Sequence, residues 1–292
     1  MNRMTDCPNK HPCVDMLALC IGDGTLAAMD YAAKAKQQMD NVVWLGYNTD
    51  SVAGSWQESA DLEQKRQEAK QSIEAIIREY PDIEYALILA VMDESISTIT
   101  AELIPVIAKA FREHGIKVIG AITTGFPDIP AGRRESVKKK TEELRAQTDL
   151  LLTFPGGAIQ EELRAPGKLL WQVAQCLIAG LWGKSLINLD LEDIQNIFKN
   201  GNQAYIVTSS ASKLYEAAHK AKNALSSLAH SGVYVKDLVV SIVIPSETID
   251  KGEIDEAIRV FPDFRSDGYI LWACSISDGS QPCITVIAAG ET

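Results

Sequence analysis

The sequence predicts a two-domain α/β protein: a parallel sheet covered by helices on both faces, a long central helix, and a smaller α+β domain. Three observations carry this fold class. As far as Pro155, apolar runs of strand length alternate with segments of helical periodicity. The segment 168–182 is apolar on nearly every face, which only a helix buried between two layers tolerates. Beyond it lie three or four more apolar runs of strand length with two helical patterns between them. The expected division is an N-terminal tail over 1–14, a nucleotide-binding type of domain over 15–166, a central helix over 167–184 and an α+β domain over 185–292.

The chain has 292 residues, 46% of them hydrophobic, which is ample for one large or two medium cores. Its 39 acids against 28 bases give a formal net charge of −11. That balance argues against nonspecific binding to nucleic acid or adhesion to an anionic membrane, because both surfaces repel it. The basic run RRESVKKKTEELR interleaves acids at helical spacing and reads as a solvated helix face. No apolar stretch has signal-peptide or membrane-spanning form, so a cytoplasmic location is expected, with no direct membrane anchor in the chain. In that compartment the six cysteines read as free thiols, and Cys20, Cys176 and Cys274 stand in apolar runs as small hydrophobes. Cys7, His11 and Cys13 offer three soft ligands where structural zinc wants four; a mobile tail is the reading, with no metal site assigned.

Taken in order, MLALCI is a buried strand that ends in GDGT and leads into a helical pattern, the first βα unit of a nucleotide-type fold. Gly22, Asp23, Gly24 and Thr25 make this turn a candidate phosphate loop, although Asp23 would face a phosphate with like charge. VVWLGYNTD is the second strand, ending in Asn48, Thr49 and Asp50, which either reach a ligand or cap the turn. A helix through Ile73, Ile76 and Ile77 returns the chain to the strand YALILAV. After that strand comes the stretch MDESISTIT, a polar loop without glycine in which a helical pattern opens with hydroxyls. Ser95, Ser97, Thr98 and Thr100 there serve either as donors to an anion or as N-caps. IKVIGAITT and DLLLTFP are the fourth and fifth strands, and between them lie the loop GFPDIPAGRR, which holds Arg133, and the helix ESVKKKTEELRAQ. At NLDLEDI, Asp190 suits an N-cap and Asp193 the first turn of the helix it starts.

The order and spacing of these phrases resemble the FtsZ/tubulin superfamily over nearly the whole chain. LALCIGDGTLAAM corresponds to the family's first phosphate loop, NTD at 48–50 to its second, and NLDLEDI to its Asn-x-Asp-x-x-Asp loop. ELIPVIAKAFREHGIKVIGAITTGF, IVIPSE and ITVIAAG fall on further family elements. The resemblance implies a tubulin/FtsZ-like fold with a Rossmann-like first domain, and subunits that stack head to tail. It also implies GTP or GDP as ligand, with Mg where nucleotide binds, and Arg133 near a phosphate-contacting arginine. In the family the loop matched by Asn188, Asp190 and Asp193 completes a neighbour's GTP site, so these three are the catalytic candidates if assembly-linked hydrolysis survives. The same acids are equally what a helix start wants locally.

The departures set the functional expectation. The family's glycine signature falls on ISTITAE, 96–102, where Ile96, Ile99 and Glu102 replace glycines that let backbone approach phosphate oxygens, and would obstruct or repel a phosphate there. Asp23, Asp93 and Glu94 add like charge, at roughly 4 kcal/mol per pair about 4 Å apart at an effective dielectric of about 20. Ala27, Gly167 and Lys168 stand where the family contacts the base. The expectation is an FtsZ-like cytoskeletal, cell-division or membrane-remodelling protein whose GTP binding and hydrolysis are weakened or lost. Its partner would be itself or another FtsZ-type chain, with membrane contact only through a partner. The alternatives are a GTPase with an altered phosphate loop and a small-ligand sensor on the same fold.

Overall fold

The computed structural model describes residues 14–34, 42–47, 60–92, 98–124, 131–155, 160, 163, 165–183, 185–199, 202–230, 232–245, 251–261, 268–277, 279 and 281–291. Cys7, His11 and Cys13 lie outside them, as do Asp93, Glu94 and Ile96.

A strand with no polar residue must be covered on both faces, and β1 (Met16–Ile21) is buried at all six positions. It lies inside a sheet of order β2-β1-β3-β4-β5, with β2 (Val42–Tyr47), β3 (Tyr85–Met92), β4 (Lys117–Thr124) and β5 (Leu150–Pro155), every pairing parallel. Side chains alternate across it. Leu17, Leu19, Ile88 and Ile122 face α2 (Ala60–Glu79), α3 (Thr98–Glu113) and α4 (Ala131–Arg145). Cys20, Leu87, Leu89 and Leu152 face α1 (Asp23–Lys34) and α5 (Pro166–Trp182).

The second sheet has the order β6-β9-β8-β10-β7, namely β6 (Ser185–Ile187), β9 (Ile270–Ser277), β8 (Tyr234–Pro245), β10 (Cys283–Glu291) and β7 (Gln203–Ser210). It is mixed: β8 and β9 run parallel, and the other pairs are antiparallel. α7 (Leu214–His230) and α8 (Lys251–Ile258) cover one face through Leu225, Ala257 and Val240. α6 (Leu191–Phe198) packs Ile194, Ile197 and Phe198 into the core that α5 shares with both sheets. This sheet has five strands where three or four were expected, because the short β6 carries no strand signature of its own.

α5 is the buried central helix that its all-round apolar sequence predicts. Leu170, Val173 and Ala174 have no exposed surface, and Trp171 meets Trp44 of β2 at 5.5 Å between ring centroids. At its far end Trp182 sits edge-on to Tyr85 at 4.7 Å. Cys20, Cys176 and Cys274 are buried free thiols, as expected. Burial pushes Cys20 and Cys176 up to about 12 and Cys274 up to about 11, so all three stay neutral.

Gln160 makes a further tie between the halves. Its side-chain amide donates to the Thr208 carbonyl at 2.9 Å and accepts from the Thr208 N–H at 2.8 Å. β7 is an edge strand, so the amide stands in for the next strand of the ladder.

Candidate functional site

In this sheet the strand order reverses between β1 and β3, and ligands of open α/β sheets sit outside the carboxyl ends of the strands at that point. Two segments meet there: the turn after β1 and the start of α3.

Gly22 alone makes the first turn. Its N–H donates to the Tyr47 carbonyl at 3.1 Å, its φ is +84°, and α1 begins at the next residue. GDGT is therefore a one-residue turn followed by helix rather than an open glycine loop. Thr25 is fully buried, and its hydroxyl donates to the Gly22 carbonyl at 2.6 Å while its N–H donates to the same oxygen at 3.0 Å. Helix α3 begins at Thr98, so most of ISTITAE is helical. Thr100 is 2% exposed and faces Gly22: a Cβ added to that glycine would lie 3.2 Å from the Thr100 methyl.

The second close approach joins α1 to α5. A Cβ on Gly167 would lie 2.7 Å from the Ala27 Cβ and 3.2 Å from the Ala28 nitrogen. Two small residues let the helices touch, and Ala27 and Gly167, both singled out from the sequence, are thereby brought together.

Glu102 behaves differently from its sequence expectation as a residue that repels phosphate. Its carboxylate is 2.8 Å from Arg66 of α2 and 2.8 Å from Lys140 of α4, and Lys140 also reaches Glu143 at 2.7 Å. The charge is thus matched outside the switch point, and it joins three helices on one face of the sheet. Burial alone would raise the Glu102 pKa; hydrogen bonds from Lys140 and Arg66 override it and hold the carboxyl below its usual value. Burial would lower the Lys140 pKa, but its hydrogen bonds to Glu102 and Glu143 hold it above its ordinary value.

Asn188, Asp190 and Asp193 are all exposed, on the loop between β6 and α6 and in the first turn of α6. Asp190 is the N-cap, accepting from the Glu192 N–H at 2.9 Å, so the local role expected of it is present. Just before them, Leu186 and Ile187 of the edge strand β6 are 57% and 41% exposed. α6 borders the amino end of β5, whereas Gly22 and Thr100 lie beyond the carboxyl ends of β1 and β3. The two candidate groups therefore stand at opposite edges of the first sheet, and one chain does not bring them together.

Asn48, Thr49, Asp50, Ser95 and Ser97 fall outside the described residues, as do the side chains of Asp23, Gly24, Thr98 and Arg133. Among α4 residues that are described, Arg134, Lys138 and Lys139 are exposed, in keeping with a solvated face. Among the described residues no cluster of His, Cys, Asp and Glu is arranged to hold a metal ion. No described helix is long and apolar enough to cross a membrane.

No family model matches the chain. Similarity to individual proteins is extensive. The curated "Cell division protein FtsZ" of Rhizobium radiobacter is 23% identical over 284 residues, covering 92% of this chain and 48% of that protein. "Cell division protein FtsZ 1" of Archaeoglobus fulgidus is 30% identical over 189 residues, covering 59% of this chain and 50% of that protein. The chain is a divergent member of the FtsZ/tubulin superfamily. It spans about half the length of the curated superfamily members it matches. Among solved structures, the empty FtsZ dimer of M. jannaschii superposes with a TM-score of 0.69 at 15% identity, over 96% of this chain and 89% of that one. CetZ from Methanosaeta thermophila gives 0.67 at 15% identity, over 96% and 87%. These likenesses establish the superfamily fold for both sheets and the helix between them.

Proposed function

We propose that this chain is an FtsZ-like cytoskeletal subunit, acting in cell division or membrane remodelling, whose GTP binding and hydrolysis are weakened or lost. The observation that carries the reading is the contact of Thr100 with Gly22 at the switch point. There the superfamily resemblance calls for a phosphate seat, and a buried side chain packs against the turn instead. The Ala27–Gly167 approach adds to it, since a base would have to separate helices that are already in contact. GTP or GDP is then a weak ligand or none, and Mg follows only where a nucleotide binds. On this reading any nucleotide contacts fall to the residues that the sequence resemblance marks: Gly22, Asp23, Gly24, Thr25, Asn48, Thr49, Asp50, Ser95, Ser97, Thr98 and Arg133.

Assembly is the aspect of family behaviour this reading keeps. Residues 15–166, 167–184 and 185–292 act as nucleotide-type domain, connecting helix and C-terminal domain of one subunit. The loop with Asn188, Asp190 and Asp193, flanked by exposed Leu186 and Ile187, forms one end of a head-to-tail contact with a second copy or an FtsZ-type partner. Because the loop and the switch point lie at opposite edges of the sheet, only a neighbour can bring them together. Membrane contact would come through a partner.

Sedimentation of the purified chain with and without GTP tests this. The expected result is a pellet of assemblies that does not depend on GTP and is lost in Leu186→Asp. A strict monomer at high concentration, also unchanged by an added FtsZ-type chain, contradicts it. Assembly that requires GTP and stops on hydrolysis favours a GTPase with an altered phosphate loop.

A further inference from the structure

A cleft of about 540 Å³ opens between α6 and the junction of α4 with β5, away from the switch point. Its size lies within the range of single-ligand sites, roughly 300–1,000 Å³. One wall is a polar stripe of α6, where Glu192, Gln195, Asn196 and Lys199 recur at three- and four-residue spacing and so share a face. The opposite wall carries Arg145 and Asp149. Buried Leu150, Leu151 and Phe198 form an apolar floor.

The walls match in charge yet do not meet. Arg145 leans on Glu142 of its own helix at 3.6 Å, and one Asp149 oxygen accepts from the Val118 N–H at 2.7 Å. Among the described residues no hydrogen bond or ion pair joins α6 to the facing wall. Each wall therefore holds one cation and one acid turned toward the same space, and the four charges cancel. A simple anion gains from Arg145 and Lys199 and loses to Asp149 and Glu192; a polyphosphate loses more. A molecule that carries both signs satisfies both pairs, and the amides of Gln195 and Asn196 add hydrogen bonds at its centre.

We propose that this cleft is a binding site for a small zwitterion of the amino-acid class, its carboxylate directed to Arg145 and Lys199 and its ammonium to Glu192 and Asp149. Such a ligand would fasten α6 to the first sheet. It would thereby set the helix whose N-cap is Asp190.

Amide-resolved NMR of the full chain, titrated with each standard free L-amino acid to millimolar concentration, tests the site. At least one is expected to give saturable shifts confined to 145–151 and 192–199, with slower hydrogen exchange along α6. Lys199→Ala at the exposed C-cap of α6 and Glu192→Gln in its exposed first turn are each expected to weaken that binding about tenfold, the value of one charge-assisted contact. Asn196→Ala, on the same stripe, should weaken it less. Three results overturn the proposal: no saturable shift from any amino acid; cleft shifts indifferent to all three substitutions; or inorganic phosphate alone saturating the cleft equally well, which would make it a plain anion site.

Discussion

At Glu102 three helices are held by one carboxylate, and the energetics there follow from partial burial. The side chain is 17% exposed, so its bonds to Arg66 and Lys140 are screened less than a surface pair, although Arg66 is itself 37% exposed. Glu102→Gln is expected to lower stability near neutral pH by about 1–2 kcal/mol, between the values of exposed and buried pairs. Because the folded-state pKa of Glu102 is depressed, its contribution is present above the ordinary carboxylate range and disappears as pH falls through the folded value. Urea titrations of both proteins should therefore differ at pH 7 and converge in acid. A difference that persists undiminished in acid would mean that the clamp is not electrostatic. The contribution of Lys140 is also stabilising but has the opposite pH dependence, fading only as pH rises through its raised pKa.

Gly22 is the other residue whose identity is fixed by geometry. At φ +84° an L side chain is strained, and the Thr100 methyl stands 3.2 Å from where a Cβ would go. Gly22→Ala is expected to cost about 1–2 kcal/mol and to lower Tm, with Thr100→Ser in the same chain recovering only the steric share. A Gly22→Ala protein as stable as the parent would show that the turn can relax, and the packing at the switch point with it. The glycine was legible in the sequence as a turn after a strand. Its partner was not, because Thr100 reads as one of four hydroxyls at a helix start and nothing local says that its methyl faces inward. Glu102 misled for the same reason: Arg66 and Lys140 lie 36 and 38 residues away on other helices, a distance over which sequence spacing carries no information.

Among the elements, the strands of the first sheet and α5 were the most readable, since fully buried strands are uniformly apolar and a helix between two sheets has no polar stripe. β6 was the least readable, being three residues long with two of them exposed. The Gln160 latch was likewise invisible, because one amide in a polar loop gives no sign of pairing with a strand edge 48 residues later. It nevertheless fixes how the loop after β5 meets the second sheet. Gln160→Ala removes two neutral hydrogen bonds and is expected to cost about 1–2 kcal/mol. Hydrogen exchange at the Thr208 amide should speed up selectively, while amides in the middle of β10 remain protected. Uniform acceleration across both sheets would mean that the amide supports global stability rather than this junction.

For the whole molecule, the two regions that the superfamily resemblance marks are placed at opposite edges of one sheet, and they differ in character. The loop before α6 is exposed, with apolar residues beside it, as an assembly surface would be. At the switch point Thr100 packs against Gly22, and Ala27 packs against Gly167. The sequence registered this contrast as missing glycines. A subunit built in this way would keep its longitudinal contact without the nucleotide that the superfamily resemblance associates with it. Isothermal titration of the purified chain with GTP, in the presence of magnesium, tests this most directly. A closed seat predicts no saturable heat at micromolar nucleotide. Saturable micromolar binding, abolished by a bulky substitution such as Gly167→Leu, would contradict it and show that α1 and α5 separate to admit a base.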